Sequence, residues 1–446
     1  MSMRDMQARE GELTETVSQI LAEARKQGAD GAEVGVSESV GLEVAVRKGE
    51  LETVEFNQDR GFGITVYVGS RKGYASTSDN GTEAIENTVK AAVNIATYTQ
   101  DDDCNGLADP ELMATSVVDL GLYHPWDVEV DAAEAIAATC EAAALDVDGR
   151  IENSDGAEVS TSRGCTVYGN SHGFVGAYSG TVHAIQAIVI ARDDKGMQRD
   201  YWYTMSRQSD LLEAAEAVGQ RAGERTVARL GASKIETGEM PVLFAPEVAS
   251  GLIGHLVGAI SGGAIYRKAS YLVDHVGEKV ASDHISLVEN PFIPGGYASR
   301  CFDGDGVATS AKPFVKAGVL ESYVLSTYSA RKLGMTSTGN AGGVHNLLVE
   351  GRTRTVEELL SEMGDGLLVT SLMGQGVNIV NGDYSRGASG FRVKNGQIDH
   401  AVDEVTVAAN MKDLFNNIVG IGDDVDVRGS IQAPSILVAS MTVGGS

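Results

Sequence analysis

Between Ala32 and Val68 the chain repeats its apolar residues with a period of two. Ala32-Val34-Val36, Leu42-Val44-Val46 and Ile64-Val66-Val68 alternate with smaller or polar residues. That spacing turns one face of an extended chain toward a core and the other toward water, so these segments must find partner strands. Lys48-Gly49 and Arg71-Lys72-Gly73 read as the hairpin turns between them. Helical spacing flanks the strands. Leu13, Val17, Ile20, Leu21 and Ala24 precede them, with Gly28 placed to end the helix. Ile85, Val89, Ala92, Val93 and Ala96 follow, predicting a helix near Thr82 to Tyr98.

The pattern changes at Asp101. From there to Ser160 sixteen residues are acidic and one, Arg150, is basic. A helix is expected over Asp131 to Leu145, a β-rich stretch over Ala157 to Arg207, and a helix over Asp210 to Leu230. Pro241 to Ala245 reads as a strand leading into a helix over Glu247 to Ile260. Beyond it lie short β-like segments with glycine turns, the clearest being the hairpin Phe391 to Ile398 around Asn395-Gly396. A short helix over Asn410 to Val419 and final strands around Ile436 to Val443 complete the reading. The expected class is α+β: an N-terminal helix and antiparallel-sheet region, then a large β-rich C-terminal domain. Three units are expected, over residues 1–100, 101–235 and 236–446, and the first two are compatible with a single domain.

Charge argues against nucleic acid as a partner. Lys plus Arg is 35 against 62 Asp plus Glu, a formal net charge of -27. A phosphate-binding surface needs clustered cations, and no basic run is present. Cys104, Cys140, Cys165 and Cys301 are scattered, which suggests neither a zinc ribbon nor a disulfide framework and points to a reducing, cytoplasmic setting. No apolar stretch reaches the roughly 18 residues of a membrane span, and the N-terminal MSMRDMQARE has no apolar signal core. Glycine is 54 of the 446 residues, yet no phosphate-loop sequence occurs, and Gly339-Asn-Ala-Gly342-Gly343 lacks dinucleotide-binding spacing. Asp303-Gly304-Asp305-Gly306 reads as a tight turn rather than a calcium loop. Gly387 to Phe391 misses the GxSxG nucleophile pattern at its last position. None of the eight histidines forms an HExxH pair. Glu247 and His255 stand about 12 Å apart along a helix axis and cannot chelate one ion within it. Cys301, beside Arg300, is either a thiol of lowered pKa or a structural cysteine. These residues by themselves name no reaction.

Longer strings carry a resemblance. Glu55-Phe-Asn-Gln-Asp, Gly63-Ile-Thr-Val-Tyr, Val167-Tyr-Gly-Asn-Ser-His-Gly, His255-Leu-Val-Gly-Ala-Ile-Ser-Gly-Gly and Tyr266-Arg-Lys occur in order. Thr327-Tyr-Ser-Ala-Arg-Lys-Leu-Gly, Thr338-Gly-Asn-Ala-Gly-Gly, Met373-Gly-Gln-Gly and Gly382-Asp-Tyr-Ser-Arg-Gly follow. From about Asp30 to Thr442 the chain resembles the TldD/PmbA metallopeptidase family. The resemblance implies a cytoplasmic, zinc-dependent peptidase assembly of two homologous subunits around an enclosed cavity that admits unfolded peptides. It also implies maturation of a modified microcin precursor and degradation of an antitoxin. In such an assembly the TldD-like partner carries HExxxH on a helix and a further cysteine ligand near its C-terminus.

Measured against that pattern, Pro246 stands at the first histidine position and Gly251 at the second, leaving Glu247. Asp423 to Pro434 holds neither cysteine nor histidine. A catalytic zinc needs about three protein ligands. The resemblance therefore implies no catalytic residue and no metal in this chain, with zinc in an HExxxH partner and this chain completing a heterodimer. Glu247 is either a carboxylate stabilised by the helix N-terminus or a cavity residue. Glu247, His255, Tyr266, Arg267, Gly374, Gln375 and Gly376 are the candidates for peptide or cavity contact, with exposed strand edges offering β-augmentation. Two other readings remain: a non-enzymatic peptide-binding or chaperone-like module acting as a homodimer, and an independent peptidase using Glu247 and His255 from facing subunits.

Overall fold

The computed structural model describes residues 3–79 and 81–445. The N-terminal half is built on one antiparallel sheet of six strands. Their spatial order is Arg71–Thr77, Glu50–Val68, Gly31–Arg47, Ile151–Asn170, Val175–Asp193, Gly196–Ser206. Gly31–Arg47 pairs with Glu50–Val68 on one side and with Ile151–Asn170 on the other, so the sheet runs uninterrupted across the acidic segment. Val34, Val36, Val44 and Val46 share parity and are all buried. Two helix pairs cover the face they occupy. Met3–Lys26 and Thr82–Tyr98 pack on the Val34–Val36 end, and Val130–Leu145 and Ala215–Ala228 on the Val44–Val46 end. An antiparallel sheet with this alternation packs one face on helices, and here the other is covered in part by C-terminal loops, where Tyr168 and Tyr178 pack on Phe302.

Two local expectations change. The turn before Arg71–Thr77 lies at Gly69-Ser70, and Arg71-Lys72-Gly73 begins the strand. Gly73 is needed there for close approach: a Cβ would sit 2.0 Å from the Ala92 carbonyl oxygen of the covering helix. The helix expected from Asp210 starts at Ala215, because Leu212 and Ala214 are extended after a single turn over Ser209–Leu211.

The C-terminal half holds two sheets. A five-stranded sheet runs Val319–Leu320, Lys312–Lys316, Ile285–Glu289, Leu347–Gly351, Ile431–Gln432. In the larger sheet Gly238–Phe244 pairs with both Gly366–Met373 and Ile436–Gly444. Through Asp383–Lys394 and Gln397–Asn410 those strands close into a ring. The hairpin at its centre turns at Asn395 and Gly396, with φ of 49° and 75° as a type I′ turn requires. Closure removes edges. Among the described residues, the strands left outside the ring include the two-residue Thr353–Arg354 and Val377–Asn378, and Gln397–Asn410 pairs with Ile436–Gly444 only over Thr406 to Ala408. The helix Pro246–Ala259 follows Gly238–Phe244 directly. It buries Ala249, Leu252, Ile253, Leu256 and Ala259 in one core with Val242, Phe244, Val369, Val405 and Ile436. No helix among the described residues is long and apolar enough to cross a membrane.

Candidate functional site

The helix that bears the motif positions starts for local reasons. Ala245 is extended at the N-cap and Pro246 takes the first helical position, where its missing N–H costs nothing. Glu247 falls in the first turn, at the positive end of the helix. Its carboxylate is already engaged. Arg225 Nη1, from the Ala215–Ala228 helix of the N-terminal half, donates to Glu247 Oε1 at 2.7 Å. Arg225 Nε and Arg229 Nη1 each stand 3.6 Å from Asp200 Oδ2. The next residue of that strand but one, Trp202, is buried beneath cations: the guanidinium of Arg221 lies 3.7 Å from its ring centre, that of Arg428 4.3 Å and that of Arg225 5.1 Å. Arg428 grips Asp426 with two hydrogen bonds of 2.8 and 2.9 Å and donates to the Tyr203 carbonyl at 2.7 Å. Burial opposes ionisation of Asp426, but the hydrogen bonds from Arg428 outweigh it and its pKa is lowered.

Zinc does not fit this arrangement. Pro246 and the exposed Gly251 offer no donor, and Glu247 is turned to Arg225. Among the described residues no three His, Cys, Asp or Glu side chains assemble as a metal site. A guanidinium hydrogen-bonded to the only carboxylate of the motif is the opposite of what a Lewis-acid site requires.

His255 belongs to another neighbourhood. Its ring meets Tyr384 edge-on, with centroids 6.0 Å apart. His255 Nε2 and the Tyr384 hydroxyl are buried without a hydrogen-bond partner among the described residues. Burial, reinforced by the charge of Arg386, lowers the His255 pKa, and burial pushes Tyr384 up to about 12. The Gly374-Gln375-Gly376 loop adjoins the same strand: the Ser385 amide donates to the Gly376 carbonyl at 2.7 Å, and Arg386 Nε to the Met373 carbonyl at 3.4 Å. Tyr384 and Arg386 thus link His255 to Gly374–Gly376, while no contact joins either to Glu247.

Tyr266 and Arg267 form a third group. Arg267 Nη1 donates to the Tyr266 hydroxyl at 3.0 Å, and Tyr266 packs edge-on to Tyr328. Tyr328 and Lys332 both bind Asp102, and Arg331 binds Asp109. The start of the acidic segment is therefore docked on the basic end of the Thr327–Leu333 helix. Cys301 is a buried thiol whose Sγ donates to the Val118 carbonyl. In the Asp303 turn, the carboxylate accepts the amides of Asp305, Val307 and Ala341, so its oxygens are spent on backbone. The residues missed by sequence reading are Arg221, Arg225, Arg229, Trp202 and Arg428. The signal was available in part, since three arginines four residues apart share one helix face.

Family profiles match nearly end to end: PmbA/TldA metallopeptidase domain 1 over residues 32–96, the central domain over 123–230 and the C-terminal domain over 237–445. Metalloprotease PmbA of Escherichia coli O157:H7 is 47% identical over 97% of this chain and 96% of its own. A crystal structure from Bacteroides thetaiotaomicron, described as a candidate modulator of DNA gyrase, covers 98% of this chain and 99% of its own with a TM-score of 0.92 at 27% identity. TldE from Thermococcus kodakarensis shares the fold, with a TM-score of 0.81 at 21% identity over 96% of this chain and 100% of its own. With all three domains matched and near-half identity over almost the whole length, the chain belongs to the PmbA/TldD metallopeptidase family.

Proposed function

We propose that this chain is the metal-free, non-catalytic subunit of a cytoplasmic zinc peptidase of that family. It pairs with a homologue bearing HExxxH, completes the cavity and helps to hold an unfolded peptide during processing or degradation, the microcin-precursor and antitoxin chemistry that the resemblance implies. One observation carries the reading. At the motif helix, the ligand positions are Pro246 and Gly251, and Glu247 is ion-paired to Arg225. A carboxylate held by a guanidinium is a strut between the two halves and no base for a metal-bound water. Tyr266, Arg267, His255 and Gly374–Gly376 are the residues of this chain proposed to face the shared cavity.

The test is co-purification with an HExxxH homologue, followed by zinc analysis and cleavage of an unfolded peptide. The pair is expected to cleave with zinc on the partner alone. Zinc-dependent cleavage by the isolated chain overturns the non-catalytic reading, and unchanged partner activity on adding this chain overturns the subunit reading. A homodimer that binds precursor peptide without altering proteolysis would support the binding-module alternative instead.

A further inference from the structure

A cavity of about 470 Å³ lies between the six-stranded sheet and the C-terminal loops, and no Asp or Glu lines it. In a chain of net charge -27 that is notable, because two arginines do line it: Arg207 and Arg300. Among the described residues neither guanidinium has a carboxylate partner, whereas Arg225, Arg229, Arg331, Arg354 and Arg428 each have one.

Arg207 is fixed in place by carbonyls. Its Nε donates to Gly296 at 3.2 Å, Nη1 to Thr181 at 3.1 Å and Nη2 to Tyr297 at 2.5 Å. Three of its five N–H donors are used and two remain. Room for it is made by Gly180, where a Cβ would come 2.8 Å from Nη1. Burial lowers the Arg207 pKa; Tyr297 acts against this, and the like charge of Arg300 adds to the lowering. The group nevertheless stays charged at any ordinary pH. Arg300 rests its guanidinium 4.6 Å from the Tyr178 ring centre and is otherwise exposed. Two buried carboxylates reach the backbone of the lining and are already engaged: Glu289 with the His345 amide at 2.6 Å, Lys312 at 2.6 Å and Asn340 at 2.8 Å, and Asp303 with the Ala341 amide at 2.8 Å. Beside the main cavity a smaller one of about 240 Å³ shares Arg207 and Tyr297 and is lined with Val182, Met205, Ile293 and Val427.

We propose that the Arg207–Arg300 cavity binds the C-terminal carboxylate of a peptide. A half-buried, immobilised guanidinium with spare donors lacks its natural complement, which is a planar carboxylate. The smaller cavity beside it, where Val182, Met205, Ile293 and Val427 stand with Arg428 and Gln432, would take the terminal side chain, which an inorganic anion does not have. The proposal rests on the peptide-handling reading above, but its test requires neither partner nor zinc.

Two N-terminally fluorescent peptides of one unfolded sequence, one ending in a free acid and one in an amide, are titrated with the purified full-length chain by anisotropy. The acid is expected to bind about tenfold more tightly than the amide. Arg300→Ala should weaken that preference severalfold, because Arg207 remains as the only cation of the cavity, with amide affinity unchanged and the far-ultraviolet spectrum and melting midpoint retained. N-acetyl-leucine should displace the acid peptide at lower concentration than inorganic phosphate. Equal binding of acid and amide, no binding of either, an undiminished preference in Arg300→Ala, or phosphate competing as well as the acyl amino acid would each overturn the proposal. None of those outcomes bears on whether the chain activates an HExxxH partner, which only cleavage by the pair reports.

Discussion

Two arginine-rich regions meet the same strand. Around Trp202 the guanidiniums of Arg225, Arg229 and Arg428 face carboxylates, while Arg221 lies on the ring itself. At Arg207, just beyond the strand's end, the guanidinium faces carbonyls and an open cavity. Both regions join the N-terminal sheet to the C-terminal half, and Arg428 borders both. The difference is therefore one of charge completion rather than residue type. A completed ion pair spends its hydrogen-bonding capacity inside the chain and acts as a strut. An uncompleted one keeps donors for a ligand, and half-buried Arg207 keeps two of its five beside an open cavity.

Breaking the completed cluster should cost the most. Arg225→Met leaves Glu247 without its cation and Asp200 with only Arg229, in surroundings where their side chains are 20% and 8% exposed. A loss of about 3 kcal/mol is expected, read as a lower urea midpoint at pH 7. A change under about 0.5 kcal/mol would show that the cluster is no strut. Glu247→Gln is milder, because the amide oxygen can still accept from Arg225. It should cost about 1 kcal/mol and, on the subunit reading, leave peptide cleavage by the assembled pair intact. Loss of cleavage with stability retained would give Glu247 a role in the reaction.

Much of the framework behind this comparison is legible in the sequence. The alternation at Val34-Val36 and Val44-Val46 fixes the buried sheet face, the Asn395-Gly396 turn fixes its hairpin, and the family strings lead to the fold. The cluster itself is not legible. Glu247, Asp200, Trp202 and Asp426 come together only when a strand of one half, a helix beside it and a loop near residue 426 converge, which is long-range geometry without local pattern. The Arg207 cavity is harder still, since its defining feature is carboxylates that are not nearby. The candidate set Glu247, His255, Tyr266, Arg267 and Gly374–Gly376 came from a resemblance along the chain, and the structure distributes it over three neighbourhoods.

Acid should separate the two regions. The folded-state pKa of Asp426 is depressed by its bond to Arg428, so its contribution is present above the unfolded carboxylate value of about 3.9 and is lost as pH falls through the lower folded value. Trp202 emission, recorded in a Trp126→Phe background, should shift in that window before global unfolding, because Arg428 stacks on its ring. Acid preference at the Arg207 cavity should hold until the peptide's own carboxylate protonates. Simultaneous loss of both signals would mean that the cavity depends on the cluster.

The smallest effect is the sharpest. Arg300 makes no ion pair among the described residues and contributes only stacking on Tyr178. Removing it also relieves the like charge next to Arg207. Loss of an exposed stacked cation costs about 0.5–1 kcal/mol, and relief of repulsion in a solvent-screened setting returns a similar small amount. Arg300→Ala is therefore expected to lie within about 0.5 kcal/mol of the parent in urea denaturation. The contrast with Arg225→Met is the point of the measurement: an arginine kept for the fold is missed by the fold. If Arg300→Ala were destabilised as strongly as Arg225→Met, Arg300 would be a strut as well, and the two regions would differ in appearance only.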